Sequence, residues 1–397
     1  MKKQIAIYNK KFDFTFLTKK EVDNIFLYDN GFIYKDNLVT KYETDKFIIN
    51  QYSTDVFPEF ELGVPNIYYL STYGNSNKQI LLNYIFENYY NTEHDIWIVT
   101  DFAAEDWLFT REEHYEDIIL EKIKQSKNLK LIHHQPNLEG DNLFFNRKIF
   151  FQNFIENAPS LALFSYFAKY FSMYKKEKRI GFHINKFVDF IRKELISDLV
   201  KSNIPEHEKF YLTINKTDSI NQISFIPKDK IEKFFIKNNL LTVHNEFFFK
   251  EWYMPGLFEL SAKSDIEIVY ETHSYLQKDK QNITEKTFKH LMLGKPFINA
   301  DINSYNLVKK FGFKTYDILL SEDLKQIFNY KSNVRLNNHI SDYKLWKDHL
   351  LISIQNLLNM NQSDYDNILN ECKEISAYNT NLMDKILFEE NIQYLFL

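Results

Sequence analysis

The chain has a single cysteine, Cys372, in 397 residues. An intrachain disulfide is therefore excluded, and a cytoplasmic setting, bacterial or in an infected host cell, is expected. Long apolar runs are also missing. Stretches such as Leu161-Ala162-Leu163-Phe164 are core-sized, far short of the roughly 18 residues a membrane span needs. Met1-Lys2-Lys3-Gln4 runs into a short strand-like segment with no signal-peptide pattern. Charge of one sign is not in excess: 49 Lys and Arg against 54 Asp and Glu leave a net charge of −5. That gives no footprint for tight non-specific nucleic-acid binding. Glycine and proline are scarce, at 8 each, while Phe and Tyr number 37 and 26. An AT-rich coding sequence gives this bias, which lowers the weight any one aromatic carries. Metal signatures are lacking: there is no His-x-Glu-x-x-His, no cysteine cluster, and no Asp-x-Asp placed after a suitable strand. No bound metal is expected.

What is present is alternation. Short apolar runs change places with helix-length periodic segments, the pattern of α/β layering. The length suits two domains of about 150–200 residues each, and the sequence predicts them at 1–177 and 178–397. In the first, strands are predicted at 4–8, 66–70, 95–100 and 129–133, helices at 78–90 and 112–124, and hairpins or irregular strands within 11–60. Residues 143–176 read as helical. In the second, strands are predicted at 179–184, 210–214, 265–270 and 296–299, with helices at 186–201, 231–237, 254–262, 284–293 and 304–311. Most of the chain beyond 321 reads as helical. Both halves thus read as open α/β domains, in which ligands bind outside the carboxyl ends of the strands.

The stretch 266–317 carries the chemistry. A strand delivers Glu271 and Thr272 to its carboxyl end, and a polar loop follows. A helix then opens at Thr284, a good N-cap, with Glu285 in the first turn, where the dipole suits a carboxylate. Backbone N–H groups at such an end hold phosphate, and Lys286 and Lys289 add positive charge. Gly294 stands where a helix C′ residue is expected. On these grounds alone, the segment is equally well one more βαβ unit with a capped helix.

Three strings here, Ile268-Val269-Tyr270-Glu271-Thr272, Ile283-Thr284-Glu285-Lys286-Thr287-Phe288 and Gly294-Lys295-Pro296-Phe297-Ile298, resemble the donor-binding motif of α1,3-fucosyltransferases. In that family a Phe-Glu-Asn-Ser strand end precedes a Thr-Glu-Lys helix start and a Gly-x-x-Pro-Val turn. With Gly312-Phe313-Lys314-Thr315-Tyr316-Asp317, the stretch is similar to glycosyltransferase-like proteins of phages and large viruses. The resemblance covers about 50 residues. It implies a GT-B fold, two Rossmann-like domains facing across a cleft, with a nucleoside diphosphate sugar on the C-terminal domain. It places Thr284, Glu285 and Lys286 at the donor, Glu285 on the ribose and Lys286 on the diphosphate, with Glu271 and Thr272 at the sugar or nucleotide. Thr272-His273 departs from the family's Asn-Ser, and the loop before Glu285 is longer, so the donor sugar stays open between GDP- and UDP-linked forms. Upstream, 178–185 with Arg192 resembles the strand–Asn–helix–Arg opening of the same domain. That adds Asn185, and either Arg192 or Arg179 as a diphosphate clamp; a helix-surface Arg192 is the plainer alternative.

The implied reaction is sugar transfer to an acceptor hydroxyl, inverting and without metal or other cofactor. Such a reaction needs a general base. Asp101, Glu105 and Asp106 follow the strand at 95–100 and are the candidates; His133 and His134 come next. The acceptor is a surface glycan, a modified base in phage DNA, or a protein. A catalytically degenerate nucleotide- or glycan-binding protein of the same fold is the alternative.

Overall fold

The computed structural model describes residues 3–8, 41–43, 47–52, 66–71, 76–101, 113–133, 139–147, 175–184, 190–214, 261–271, 283, 285–300, 302–331 and 339–386. The chain divides into two compact units, Met1–Asn157 with Asp384–Leu397, and Ala158–Met383. The division thus falls about 20 residues before the expected boundary at 177, and the C-terminal residues group with the first unit.

The first unit is built on β1 (Lys3–Tyr8), β2 (Lys41–Glu43), β3 (Phe47–Tyr52), β4 (Asn66–Ser71), β5 (Ile96–Asp101), β6 (Leu129–His133) and β7 (Leu143–Phe145). They form one seven-stranded sheet in the order β2-β3-β1-β4-β5-β6-β7. Every pairing is parallel except β2 with β3, so the hairpin expected within 11–60 exists at 41–52. Strands buried on both faces read as unbroken apolar runs, and Ile96, Trp97 and Ile98 are buried together. Helices α1 (Ser76–Tyr89) and α2 (Glu113–Gln125) contribute Leu82, Ile85, Ile119 and Ile123 to the core. Asn128 ties the amino ends of β5 and β6 to the end of α1: its Nδ2 donates to Tyr89 O at 2.8 Å and to His94 O at 2.7 Å.

Leu143–Phe145 is a strand where the sequence suggested helix. A three-residue edge strand has no room to show a period, and only its pairing with β6 defines it. The remaining expected helical residues from 148 to 174 lie outside the described residues, as do the helix expected at 231–237 and most of that at 254–262.

The second unit carries β8 (Lys178–Ile184), α3 (Phe190–Lys201), β9 (Phe210–Ile214), β10 (Ser264–Val269), α4 (Glu285–Leu293) and β11 (Phe297–Asn299). Its sheet is wholly parallel in the order β11-β10-β8-β9. From β8 the chain moves one way to β9, and from β10 it moves the other way to β11. Right-handed crossovers in opposite directions place α3 and α4 on opposite faces. They leave a topological switch, hence a crevice, at the carboxyl ends of β8 and β10.

The two faces of this sheet differ. On one, Ile180, Phe182, Leu212, Ile266, Ile268 and Ile298 are all buried and apolar. On the other, the register aligns Phe297, Glu267, Gly181 and Tyr211 in one row, with His183 next along β8. A Cβ on Gly181 would collide with the Tyr211 ring and stand 2.6 Å from Glu267 Oε1. Only glycine lets Tyr211 lie across its strand.

Helix α4 ends as the sequence predicts, in a Schellman motif. Gly294 has φ of 61°, its N–H donates to Leu291 O, and Lys295 N–H donates to His290 O at 3.0 Å. Helix α5 (Ile302–Lys310) ends the same way: Gly312 has φ of 90°, and Phe313 N–H donates to Val308 O at 3.2 Å. Helices α6 (Glu322–Lys331), α7 (His339–Asn359) and α8 (Gln362–Asp384) complete the described part of the chain.

Candidate functional site at the carboxyl edge of the second sheet

The amino edge of the sheet accounts for its polar groups internally. Lys295 Nζ donates to Ser264 Oγ at 2.7 Å and to Glu267 Oε1 at 3.2 Å, and it also contacts the Ser261 carbonyl. The same Glu267 oxygen accepts from Ser264 Oγ and from Tyr211 Oη, each at 2.6 Å. Tyr211 Oη also reaches toward the carboxyl end of β8, where it lies 2.9 Å from His183 Nε2. As the tyrosine hydroxyl donates to Glu267, the histidine bonds it as an Nε2–H donor.

Burial opposes the ionisation of Glu267, but the charge of Lys295, then those of His183 and His290, outweighs it and holds the carboxyl well below the usual range. Burial lowers Lys295 to about 8, with Glu267 opposing the shift, so both partners are charged at neutral pH. Burial likewise lowers His183 to about 4 and His290 well below its ordinary value.

Arg179 belongs to this edge too. It opens β8, and its guanidinium donates to Leu357 O at 2.8 Å, Met360 O at 2.7 Å and Gln362 Oε1 at 3.1 Å. It also stacks 4.1 Å from the centre of the Tyr365 ring. The free carbonyls at the end of α7 thus take up the cation, as helix C-termini do. The expectation that Arg179 clamps a diphosphate is corrected accordingly: it stands at the wrong end of its strand, with its donors engaged.

The carboxyl edge is different. Glu271, two residues beyond β10, is fully buried. One carboxylate oxygen accepts from Thr287 N–H at 3.2 Å and from Thr287 Oγ1 at 2.5 Å. The carboxylate therefore caps the first turn of α4 and pins it to the end of β10. This sharpens the expectation for Glu271, whose visible task is to seat the helix. Lys286 lies in the same first turn and is half-buried. Glu285 begins the helix; its side chain and Thr284 lie outside the described residues, as do Thr272 and Asn185. Arg192 sits in the first turn of α3, which begins four residues later than expected, and its side chain is likewise undescribed. Next to Val269, at the end of β11, Asn299 is 4% exposed, and its buried Nδ2 has no hydrogen-bond partner among the described residues.

In the first unit, Asp101 ends β5, opposite Ser71 of β4. The switch in strand order there lies between β1 and β4, so Asp101 stands one strand beyond it. Glu105, Asp106 and His134 lie outside the described residues. His133 is fully buried, with its ring 6.3 Å from that of Phe145.

Two features escaped the sequence reading. Glu267 carried a visible signal, a lone carboxylate inside the apolar strand Ile266-Glu267-Ile268. Asn299 carried another, an amide closing the run Pro296-Phe297-Ile298.

No family model and no curated protein sequence matches the chain. Solved structures give shallow likenesses. The Candida albicans trehalose-6-phosphate phosphatase N-terminal domain has 8% identity and a TM-score of 0.36, over 83% of this chain and 71% of that one. An E. coli trehalose-6-phosphate protein bound with UDP-2-fluoro glucose has 9% identity and a TM-score of 0.34, over 97% and 99%. The wall teichoic acid polymerase TagF has 13% identity and a TM-score of 0.26, over 94% and 90%. At this depth they transfer no residue roles, and the site rests on its own geometry.

Proposed function

We propose that the chain is a GT-B-type glycosyltransferase whose second unit holds a nucleoside diphosphate sugar for transfer to an acceptor hydroxyl. The observation that carries this reading is the crevice at the carboxyl ends of β8 and β10, onto which α4 opens with Lys286 in its first turn. A helix N-terminus at a strand-order switch is a site for a phosphorylated ligand. Fucosyltransferase-like strings converge on the same place. The structure explains several of their residues by folding alone: Gly294 and Gly312 cap helices, and Lys295 neutralises Glu267. Glu285 and Lys286, which open α4, are assigned to the ligand, ribose for the first and diphosphate for the second.

In this reading the acceptor oxygen attacks the anomeric carbon, and the bond to the diphosphate breaks with its electron pair on the leaving group. The helix end and Lys286 stabilise that developing charge without a metal ion. The acceptor proton passes to a carboxylate of the first unit, with Asp101, Glu105 and Asp106 as candidates. The product is inverted, and the acceptor is a surface glycan or a modified base in phage DNA.

The test combines binding and turnover. UDP, GDP, CDP and dTDP are screened by thermal shift, where ligand binding raises the melting temperature. Transfer or donor hydrolysis is then followed with the matching nucleotide sugar. Glu285→Ala and Lys286→Ala are expected to abolish turnover while the circular dichroism spectrum is kept; full activity in both would sink the site. Binding without turnover in the wild type would favour the degenerate, binding-only form of the fold.

A further inference from the structure

Two other buried asparagines among the described residues have their side-chain amides matched. Asn128 donates through Nδ2 to Tyr89 O, Thr92 Oγ1 and His94 O, and its Oδ1 accepts from Asn91 N–H. Asn379 donates to Lys314 O and accepts from Lys314 N–H, both at 2.8 Å. Asn299 is buried to a similar degree, yet among the described residues its Nδ2 has no acceptor. Leaving a buried amide donor unmatched opposes folding, and such a group calls for an explanation.

Its place in the fold supplies one. Asn299 pairs with Val269, and Phe297, two residues earlier on the same side of β11, stacks against His290 of α4 with ring centres 5.6 Å apart. Asn299 therefore lies on the α4 side of the sheet. It ends its strand at the edge where Glu271 receives the first turn of α4. Neighbouring strands are about 4.8 Å apart, so one ligand seated at the opening of α4 spans both positions. An amide N–H can donate to a hydroxyl, carbonyl or phosphate oxygen of such a ligand.

We propose that Asn299 is a ligand contact, donating one hydrogen bond through Nδ2 to an acceptor oxygen of the bound nucleoside diphosphate sugar. The contact rests on the nucleotide-sugar reading above. It adds a specificity-determining group on β11 beside the phosphate-binding end of α4.

The test sets stability against affinity in the full chain. Asn299→Leu replaces an unmatched amide with an apolar group of similar size. The melting temperature of the free protein is expected to hold or rise. Calorimetric affinity for the nucleotide sugar that binds best among UDP-glucose, GDP-mannose and GDP-fucose is expected to fall about tenfold. Asn299→Asp keeps the shape and removes the donor; it is expected to weaken binding at least as much. Wild-type affinity in both variants overturns the contact and leaves the nucleotide reading standing. A lower melting temperature with unchanged affinity overturns it as well, because the amide then serves the fold through trapped water. If the wild type binds no UDP, GDP or nucleotide sugar, both the function and this contact fall.

Discussion

The two edges of the second sheet carry comparable chemistry and use it in opposite ways. At the amino edge Glu267 receives Lys295, Ser264 and Tyr211 on one oxygen, and Arg179 fills the end of α7. At the carboxyl edge Glu271 seats a helix, Lys286 lies in that helix's first turn, and Asn299 has an unmatched donor. Charge alone does not mark a functional edge in this protein. Strongly perturbed groups, Glu267 and Lys295 among them, belong to the closed network. Perturbed ionisation is a pointer to sites in general, but here topology outweighs it, because the strand-order switch opens at the other end of the strands.

Three measurements would break or sharpen that contrast. The largest effect is expected from Glu267→Leu, which strands the Lys295 ammonium in a buried setting. A loss of about 3–5 kcal/mol in denaturant unfolding is expected, with much of it recovered in Glu267→Leu/Lys295→Met, because the apolar pair removes both charges together. No recovery would show that the network does more than balance charge. Next comes Arg179→Met, expected to cost about 2–3 kcal/mol through lost charge-assisted bonds at the end of α7. Nucleotide affinity should stay within about twofold, since a change of 1.4 kcal/mol is tenfold. A well-folded Arg179→Met protein that no longer binds nucleotide would restore the diphosphate role to this residue and dissolve the division between edges.

The smallest effect is the pH dependence of the closed network. His183 and His290 are held neutral in the fold, with His183 lowered from 6.5 to about 4. As pH falls below about 6.5, the unfolded chain takes up protons that the folded one refuses. Stability is therefore full at neutral pH and declines between about 6.5 and 4, by roughly 1–2 kcal/mol per histidine down to pH 5. Glu267, whose folded value is depressed below 4.5, adds a further loss below that point. His183→Asn should flatten the melting temperature between pH 7 and 5; an equally steep profile would remove His183 from the account.

Local signals were legible in the sequence. The strands at 129–133 and 210–214 have the observed bounds, and Gly294 caps α4 as its position after an amphipathic run implied. A helix opening after a strand end at 284–285 was equally plain. The misreading of Arg179 has a plain cause. Arg179 meets Leu357 across 178 positions, as Lys295 meets Glu267 across 28. Nothing in a window of ordinary length says that a cation is already engaged. Arg179 looked like a phosphate ligand because its strand was recognised while its partner was not. Leu143–Phe145 was lost for the same reason, since a strand of three residues exists only through its neighbour.

The sequence by itself determined the alternation of strand and helix, the two α/β units, and the helix start that gathers Glu285 and Lys286, because periodicity and capping are written in consecutive residues. Tertiary structure decided which edge of the sheet each polar group occupies. Strand order follows from pairings between distant segments, and those pairings turned Arg179, Lys295 and Glu267 into parts of the fold while leaving Asn299 unmatched at the edge where α4 opens.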